Sequence, residues 1–363
     1  MSSTSLLRIK FFMFAAVLCI SSAAFAQRYS QTNLVSDISG LAAHTDSRLV
    51  NPWGISFGPT SPFWIADNGT GLSTLYEPDG SAAPFLQNGV VIPPPAGGSG
   101  SAPTGTVFDS TGQFVVSANG LSGGAIFLFA TEDGTISGWS PAVDLNNAIL
   151  AVDNSASGAV YKGLASAQIG SANFLYATNF HNNTVEMYDA SFNLVNTFSD
   201  PNVPPRYAPF GIRVINGKLY VTFAEQDKEK HDDKAGPNHG FVDVFELDGS
   251  NRHRLVSRHG LNSPWGLALA PANFGKFSNA LLVGNFGNGA ISSYDPNSGA
   301  FLGHLQDQNG RVLTIDGLWT ITFGNGVSTG PTNTLFFTAG IDDESHWLFG
   351  RLDAISVTVS PLS

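Results

Sequence analysis

The stretch from residue 51 to residue 76 reads Asn51-Pro52-Trp53-Gly54-Ile55-Ser56-Phe57, a Pro/Gly-rich turn, Phe63-Trp64-Ile65-Ala66-Asp67-Asn68-Gly69, and then Ser73-Thr74-Leu75-Tyr76. Each apolar run is about four to six residues long, is rich in aromatic and β-branched side chains, and ends at Gly, Pro, Asn or Ser, which is typical of strands. The stretch therefore predicts a three-strand meander, and a fourth apolar run usually follows it.

The same pattern returns five more times. We anchor the six copies on Gly54, Gly105, Gly163, Gly211, Gly266 and Gly317. A period of roughly fifty residues with several strands per copy is typical of propeller blades. In the second copy, Phe114-Val115-Val116 is assigned to the second strand and Ile126-Phe127-Leu128-Phe129 to the third. The sequence therefore predicts an all-β fold, a six-bladed β-propeller of four-stranded antiparallel blades.

The last copy is one strand short, because the chain ends soon after Trp347-Leu348-Phe349. Residues 32–37, Thr-Asn-Leu-Val-Ser-Asp, resemble the fourth-strand run 254–258, Arg-Leu-Val-Ser-Arg. We expect this N-terminal segment to become the outer strand of the last blade. The ring would then close by joining the two ends of the chain and would leave no open seam.

Residues 1–26 have the features of a secretory signal peptide. Arg8 and Lys10 precede an apolar run, and Ala24-Phe25-Ala26 forms an A-x-A-like cleavage site. We therefore expect export to the periplasm or the outside of the cell, and a single propeller domain over residues 27–363. The one cysteine, Cys19, lies in the leader, so the mature chain can form neither disulfides nor thiolate metal sites.

Three features carry a resemblance to a known family. They are the Pro-aromatic-Gly opening, the Tyr-Ala-Thr-Asn or Trp-Ile-Ala-Asp-Asn second strand, and the Tyr-Asp third strand. These resemble NHL-repeat and related six-bladed propellers, and the chain after the leader looks like a group of exported bacterial propellers of uncharacterised function. The resemblance implies the fold and no single activity, because unrelated chemistries occur on this scaffold.

The charge balance limits the partners. The chain has 17 Lys and Arg against 28 Asp and Glu, a formal net charge of −11, and no basic patch. Binding to nucleic acid or to an anionic membrane is therefore disfavoured. No apolar run after the leader is long enough to span a bilayer, and we expect a monomer.

The loops sort into two groups. In a ring of four-strand meanders, the connections from fourth to first strands and from second to third strands lie at one end, and the other connections lie at the opposite end. The first group holds most of the long polar loops, including residues 144–158, Asn119 and the charged segment 225–239. Long polar loops on a rigid scaffold usually carry binding, so a site is expected at this end, with His44, Asn51 and Asn262 on the ligand-binding face.

Asparagines recur at the ends of second strands. Asn68, Asn179, Asn285 and also Asp316 are candidate ligands for calcium near the ring axis, because calcium prefers oxygen ligands. The resemblance supports this, since related six-bladed hydrolases hold a divalent ion at the axis with Glu, Asn and Asp. Asn also tolerates left-handed backbone, so these residues can instead be structural turn formers.

Histidines and aromatic residues give two further candidates. His181, His239 and His346 are candidate general bases, or ligands of a transition metal as in peptide-amidating lyases of similar fold, although none forms an H-x-H pair. Four large aromatic residues recur in first strands and predict inter-blade packing, not a stacking platform. These four are Trp53, Phe210, Trp265 and Trp319.

Two function classes remain open. The first is an exported binding or scaffold propeller whose loop-rich face binds a small molecule, a glycan or a protein partner. The second is a calcium-dependent hydrolase or lyase with its site at the ring axis. A sugar dehydrogenase with a quinone cofactor is a more distant alternative, because no pattern that would clamp such a cofactor is present. The segment 225–239 is either a solvated loop or a lid.

Overall fold

The structure is a computed structural model that describes residues 24–359. In chain order its strands are β1 (Ala24–Ser36), β2 (His44–Thr45), β3 (Pro52–Ser56), β4 (Phe63–Asp67), β5 (Leu72–Tyr76), β6 (Val90–Val91), β7 (Pro103–Phe108), β8 (Val115–Ala118), β9 (Leu121–Gly124), β10 (Phe127–Thr131), β11 (Thr135–Trp139), β12 (Ile149–Asp153), β13 (Tyr161–Ile169), β14 (Ala172–Asn179), β15 (Thr184–Asp189), β16 (Leu194–Phe198), β17 (Tyr207–Ile215), β18 (Lys218–Glu225), β19 (Phe241–Phe245), β20 (His253–Ser257), β21 (Pro264–Leu269), β22 (Leu281–Asn285), β23 (Ile291–Tyr294), β24 (Phe301–His304), β25 (Leu318–Phe323), β26 (Thr334–Gly340) and β27 (His346–Val359). Three single helical turns, Ser155–Ser157, Gly275–Phe277 and α1 (Ile341–Glu344), complete the regular structure of these residues.

Six antiparallel blades form the ring. They are β3-β4-β5-β6, β7-β10-β11-β12, β13 to β16, β17 to β20, β21 to β24, and β25-β26-β27-β1. The first strands contact one another in a closed circle, β3 to β7, β13, β17, β21, β25 and back to β3. The predicted six-bladed propeller of four-stranded antiparallel blades is therefore confirmed.

The N-terminal strand closes the ring as predicted. Strand β1 pairs antiparallel with β27, with Thr32 opposite Arg351 and Val35 opposite Phe349. Val35 is fully buried and packs with Phe349 in the cluster between the last and first blades. The short strand β2 adds to the outer edge of β1 in parallel. The first and last parts of the chain therefore share one sheet.

Apolar side chains fill each space between neighbouring blades. Six clusters of buried residues each join two adjacent blades, and a seventh lies on the axis. Because each sheet is covered on both sides, strands such as β4 and β19 are buried along their whole length and show no alternation of apolar and polar residues.

Glycines allow the first strands to approach each other at the axis. A Cβ atom at Gly54 would lie 2.5 Å from the carbonyl oxygen of Thr104, and Gly105, Gly163, Gly211 and Gly266 each meet the backbone of the next blade in the same way. The sixth position was predicted wrongly. Gly266 meets the backbone of Trp319 and Ile321, so Thr320, and not Gly317, is the counterpart in the last blade.

The strands of the second blade were also predicted wrongly. Residues 115–118 and 121–124 form the separate hairpin β8-β9, and the second strand is β10, which pairs with β7. The hairpin is an insertion whose first strand, Val-Val-Ser-Ala, has the same apolar start as a blade strand. It moves Asn119 to the opposite end of the ring from the one predicted. Residues 144–148 likewise precede β12 at that end, so only 154–158 lie in a fourth-to-first connection.

We predict that Gly211→Ala lowers the free energy of unfolding by about 1–3 kcal/mol, the range for overpacking a filled interior. The added methyl group would overlap the backbone carbonyl of Trp265, which cannot move without shifting a first strand. Gly284→Ala is the matched control, because its methyl group would first meet the side chain of Leu318 at 3.2 Å. Chemical denaturation of both variants checks this, and an equal loss in the two would contradict the role assigned to the glycine ring.

Residues 1–23 lie outside the described residues, and so does most of the predicted leader. Strand β1 begins at Ala24, two residues before the end of that predicted leader at Ala26. The cleavage point and the domain boundary at residue 27 stay predictions. Across residues 24–359 there is no helix with the length and apolar character needed to cross a membrane.

Candidate functional site

Two kinds of connection meet at one end of the ring, because the strands of each blade alternate in direction. This end, called the loop-rich end below, carries the turns after β4, β10, β14, β18, β22 and β26 and the loops that lead into each first strand. Residues just before the glycine ring, at the start of the first strands, therefore lie at the axis near this end.

Large aromatic side chains fill the axis there. Trp53 and Trp319 stack with ring centroids 3.5 Å apart, and Trp265 meets their edges at 6.1 and 5.8 Å. Phe210 packs against Trp319, and all four are buried in one cluster with Phe180. The predicted packing role of these aromatic residues is confirmed. They form a plug across the central channel.

Lys162 occupies the corresponding position in the third blade. Its side chain is 1% exposed, and its ammonium group lies 5.0 Å from the ring of Trp53. It forms ion pairs with the carboxylates of Glu132 and Asp232, the latter at 3.2 Å. Burial disfavours the charge, but the two carboxylates outweigh that effect and raise the pKa of Lys162 above its ordinary value. The axis therefore contains a buried ammonium group whose charge is favoured by the neighbouring carboxylates.

The sequence analysis missed this cluster. Glu132 follows β10, and the wrong strand assignment of the second blade hid its place at the loop-rich end. Lys162 stands where the other blades have Trp, Phe or Thr, and a single charged residue at an otherwise uncharged position was the signal that could have identified it.

The charged segment 225–239 reaches the axis from the fourth blade. Gln226 donates a hydrogen bond to the carbonyl oxygen of Phe180 at 2.5 Å, and Asp232 contacts Lys162. The backbone N–H of Gly236 donates to Asn262 Oδ1 at 2.7 Å. The segment is therefore held by contacts with the third and fifth blades and covers part of the aromatic plug.

A left-handed turn lies on the other side of the axis. Asp342, Asp343 and Glu344 have φ values of 54°, 51° and 58°, which is a strained conformation for side chains of this kind. Burial raises the pKa of Glu344 to about 6, although Asn51, Lys162 and Trp319 oppose the rise. A side chain at Gly340 would meet Asn51 Oδ1 at 2.6 Å and Glu344 Cγ at 2.9 Å, so Asn51 and Glu344 are neighbours.

Four polar atoms around this turn are buried and make no hydrogen bond of normal geometry among residues 24–359, although Asn51 and the Trp319 indole lie close enough to the Glu344 carboxyl to lower its pKa. They are Asn51 Oδ1, Glu344 Oε1, Trp53 Nε1 and Trp319 Nε1. A buried polar atom that lacks a partner costs about 1–3 kcal/mol, and such atoms often mark a place where a ligand or water binds. We call these four residues together with Lys162, Glu132, His231, Asp232 and Asp233 the axial site.

One group in the axial site has the composition of a metal centre. A carboxylate oxygen of Glu132, a ring nitrogen of His231 and a carboxylate oxygen of Asp232 lie within 4.8 Å of one another. The imidazole Nδ1 is 3.0 Å from Asp232 Oδ1, and this hydrogen bond raises the pKa of His231. Lys162 contacts both carboxylates, so a metal ion here would compete with its ammonium group.

The structure gives the predicted calcium ligands other roles. Asn179 and Asn285 are fully buried, and the amide oxygen of each accepts backbone N–H bonds, from Val160 and from Asn262 respectively. Asn68 donates to Glu132 Oε2 at 2.7 Å, and Asp316 accepts from the backbone of Asp342 at 2.8 Å. Asn68 is therefore beside the axial site, while Asn179 and Asn285 act as turn residues.

The repeat position of Asn68 was shifted by one residue. Asp67 pairs with Pro52 as Asn285 pairs with Pro264, so Asp67 is the counterpart of the buried asparagines. Its carboxylate accepts the backbone N–H of Thr74 at 2.9 Å, and burial raises its pKa well above the ordinary value.

The predicted histidines are dispersed. His239 Nδ1 lies 3.1 Å from Glu225 Oε2, and His346 Nδ1 lies 2.6 Å from Asp37 Oδ2 beside strand β1. His181 lies next to Gly158, and His44 pairs with Val35 at the outer edge of the last blade. Of the predicted ligand-binding face, Asn51 is in the axial site and Asn262 is next to it. Of the histidines that the sequence places at this end, His231 is the one that lies in the axial site, beside Glu132 and Asp232.

Sequence comparison places the chain among viral relatives. It is 33% identical over 332 residues to uncharacterized protein R648 of Acanthamoeba polyphaga mimivirus, covering 88% of this chain and 78% of that protein. It is 32% identical over 334 residues to protein L690 of the same virus, covering 88% and 84%. The chain belongs to this family. No protein-family model matches the sequence.

Solved structures agree on the fold. A streptogramin B lyase structure has a TM-score of 0.52 at 14% identity, covering 91% of this chain and 98% of that one. Virginiamycin B lyase from Staphylococcus aureus has a TM-score of 0.51 at 16% identity, covering 91% and 100%. At such identities the likeness extends to the fold alone.

The raised pKa of Glu344 gives a pH prediction. Its carboxyl holds a proton in the folded chain at pH values where the unfolded chain has lost it, so the wild-type free energy of unfolding falls as pH rises from about 4.5 to about 6. Glu344→Gln cannot titrate. We expect the variant to gain about 1–2 kcal/mol relative to wild type between pH 4.5 and pH 7. Denaturant titrations across this range check it, and a difference that does not change with pH would contradict the assigned burial.

Proposed function

We propose that this chain is a binding propeller whose axial site receives a cationic group of its ligand, an ammonium or guanidinium of a small molecule or of a partner's side chain. The observation that carries the proposal is the set of buried polar atoms without partners, above all the acceptors Asn51 Oδ1 and Glu344 Oε1. A ligand N–H would satisfy both acceptors, and a cation would do so with a charge-assisted bond.

The charge of the axial site supports a cation. Four carboxyl groups, those of Glu132, Asp232, Asp233 and Glu344, act on the single ammonium group of Lys162. Burial raises the pKa of Asp233 to about 6, as it does for Glu344, so both carry negative charge for most of the time at neutral pH. The site therefore keeps a net negative potential after Lys162 is counted, and this attracts positive ligands.

The surroundings of the axial site favour a ligand that is enclosed by the protein over one that only touches its surface. The faces of the stacked Trp53 and Trp319 rings are covered, because Phe286 stacks on Trp319 and the ammonium group of Lys162 lies 5.0 Å from the Trp53 ring. A ligand cation would therefore meet the polar atoms beside the plug and not the ring faces. The segment 225–239 covers one side, where Gln226 is bonded to the carbonyl oxygen of Phe180 and Asp232 contacts Lys162. These features make the segment a lid in this proposal.

A second candidate is metal-dependent chemistry at Glu132, His231 and Asp232. The grouping of these three side chains favours it, and two solved lyases have the same fold. This candidate ranks second because the ammonium group of Lys162 already contacts two of the three side chains, Glu132 and Asp232. A divalent ion would be repelled by that group unless Lys162 moved or lost its proton. Glu344, with its raised pKa, would then be the general base.

The first experiment compares matched ligands. N-acetyl-arginine amide and N-acetyl-lysine amide are titrated against their neutral isosteres, N-acetyl-citrulline amide and N-acetyl-norleucine amide, by calorimetry and by the fluorescence of the axial tryptophans. We expect at least a tenfold preference for the cations, and at least a tenfold loss of that binding in Glu344→Gln. The control Glu246→Gln makes the same change at an ion pair on the outer surface. Equal binding of cations and isosteres, or no binding of either, would overturn the proposal.

The second experiment tests the metal. Protein purified without chelators is analysed for bound metal and titrated with calcium, zinc and manganese chlorides, with His231→Ala as the comparison. A stoichiometric ion that the variant loses would favour the second candidate over the first.

We also propose that residues 1–26 export the chain and that it acts as a monomer, so that the axial site meets its ligand outside the cytoplasm. The signal-like composition of the first 26 residues supports this. Expression of the full chain in a bacterium, with N-terminal sequencing of the secreted product, tests it. A mature chain that starts at Gln27 is expected, and retention of the intact chain in the cytoplasm would contradict it.

A further inference from the structure

The central channel continues beyond the aromatic plug, at the end of the ring opposite to the axial site. Its walls are the later residues of the six first strands, and it forms a cavity of about 330 Å³ between the glycine ring and the connections from first to second strands. Trp265 and the glycines bound its inner end. Clefts that bind small molecules begin at roughly this size.

One side chain gives this cavity its charge. Of the residues that line it, Arg213 alone is ionisable. Its guanidinium crosses from the fourth blade to the sixth, where Nη1 donates to the carbonyl oxygen of Ile321 at 3.2 Å and Nη2 donates to Thr322 Oγ1 at 3.0 Å. Both acceptors are neutral. Arg213 takes part in none of the salt bridges of residues 24–359, and burial lowers its pKa.

A partly buried guanidinium without a counter-charge is unusual. Arg is rarely buried unless it is paired, because removing the charge from water is costly. Two hydrogen bonds use two of the five N–H donors of a guanidinium, and the others remain available for an acceptor in the channel. A planar anion such as a carboxylate matches this geometry.

Apart from several hydroxyl groups, the rest of the wall is apolar. Ile55, Phe57, Phe108, Leu164 and Leu267 line the same cavity. Among the lining hydroxyl groups, those of Ser56 and Thr106 bond to each other at 2.9 Å, and Thr320 donates to the carbonyl oxygen of Trp53 at 2.7 Å. An occupant would therefore place a charged end at Arg213 and an apolar body against the strands.

We call this cavity the lower channel. We propose that it is a binding site for a small organic anion, a carboxylate with an apolar aliphatic or aromatic body, and that Arg213 binds its charged end. The site is separate from the axial site and takes ligands of the opposite charge. The two proposals can therefore fail independently.

The test uses hexanoate and phenylacetate with their neutral counterparts hexanamide and phenylacetamide, and inorganic phosphate as an anion without an apolar body. Calorimetry and saturation-transfer NMR on the wild-type protein measure binding. We expect both carboxylates to bind at least tenfold more tightly than their amides and more tightly than phosphate. Equal binding of acids and amides, phosphate binding as tight as phenylacetate, or no saturable binding of either carboxylate would overturn the proposal.

Variants locate the site. Arg213→Met should abolish carboxylate binding, and Arg213→Lys, which keeps the charge and the folded channel but loses the planar fork, should weaken it. Lys276→Met removes a charge from an exposed turn and should leave binding unchanged. Carboxylate binding that survives both Arg213 substitutions would show that the anions bind elsewhere and would refute the assignment.

Discussion

Lys162→Met is expected to lower the free energy of unfolding by about 3–5 kcal/mol, the cost of breaking a buried ion pair by removing one partner. The side chain of Glu132 is only 10% exposed and would be left beside the aromatic plug without its counter-charge. Asp232 would lose less, because its side chain is 66% exposed. Urea denaturation of wild type and variant at neutral pH measures the change.

The matched control is the double variant Lys162→Met with Glu132→Gln. Removing both charges leaves no uncompensated buried ion, so we expect the double variant to recover at least half of the stability that the single variant loses. If the single variant were as stable as wild type, or if the second substitution made the loss larger, the ion pair would not hold the second and third blades together at the axis.

Val35→Asp is expected to abolish cooperative folding or to lower the free energy of unfolding by more than about 4 kcal/mol, because it places an unpaired charge in a filled core. Val35 is fully buried. Its exposure is 0%, and it packs against Phe349 between the last and first blades. Circular dichroism and thermal unfolding of the variant check this.

Val195→Asp makes the same chemical change on another outer strand. Val195 lies in β16 and is 50% exposed, so its substitution should cost less than about 1 kcal/mol. Equal effects of the two substitutions would mean that strand β1 contributes no more to the ring than any solvent-facing edge.

The fold could be predicted from the sequence because its signals are local and repeated. Pro-Trp-Gly at residues 52–54 and 264–266 marks first strands. Because the last copy of the repeat has one strand fewer than the others, residues 32–37 could be assigned as its missing strand. Predictions failed where one blade departs from the pattern. The hairpin 115–124 has strand-like residues of its own, and Thr320 replaces the glycine of the last first strand.

The axial site could be predicted only in part, because it is made by residues from different blades. Asn51 was predicted at the correct end of the ring, because the order of the strands in a blade determines at which end of the ring each connection lies. Lys162, Glu132 and Asp232 come from three separate segments, and nothing in their local sequence shows that they meet. The turn at Glu344 depends on left-handed backbone that no residue preference predicts for three acidic side chains in succession.

The charge of the lower channel was hidden for a similar reason. Arg213 stands in the middle of an apolar first strand, between Ile212 and Val214, and the absence of a carboxylate near it is a property of three-dimensional neighbours. The short turns at that end of the ring gave no reason to expect a site there.

The assignment of both sites to ends of the ring depends on its closure by strand β1, and a cross-link tests that closure directly. In a Cys19→Ser background, Thr32→Cys and Arg351→Cys are the only thiols, and they are placed opposite each other in the register of β1 and β27. Directly opposed strand residues lie within the Cα separation that a disulfide accepts. We predict that mild oxidation forms an intramolecular disulfide in nearly all molecules. On a denaturing gel the oxidised protein should run as a single monomer band that does not react with a thiol reagent, and reduction should change its mobility. Free thiols after oxidation, or disulfides only between molecules, would contradict the closed six-bladed ring.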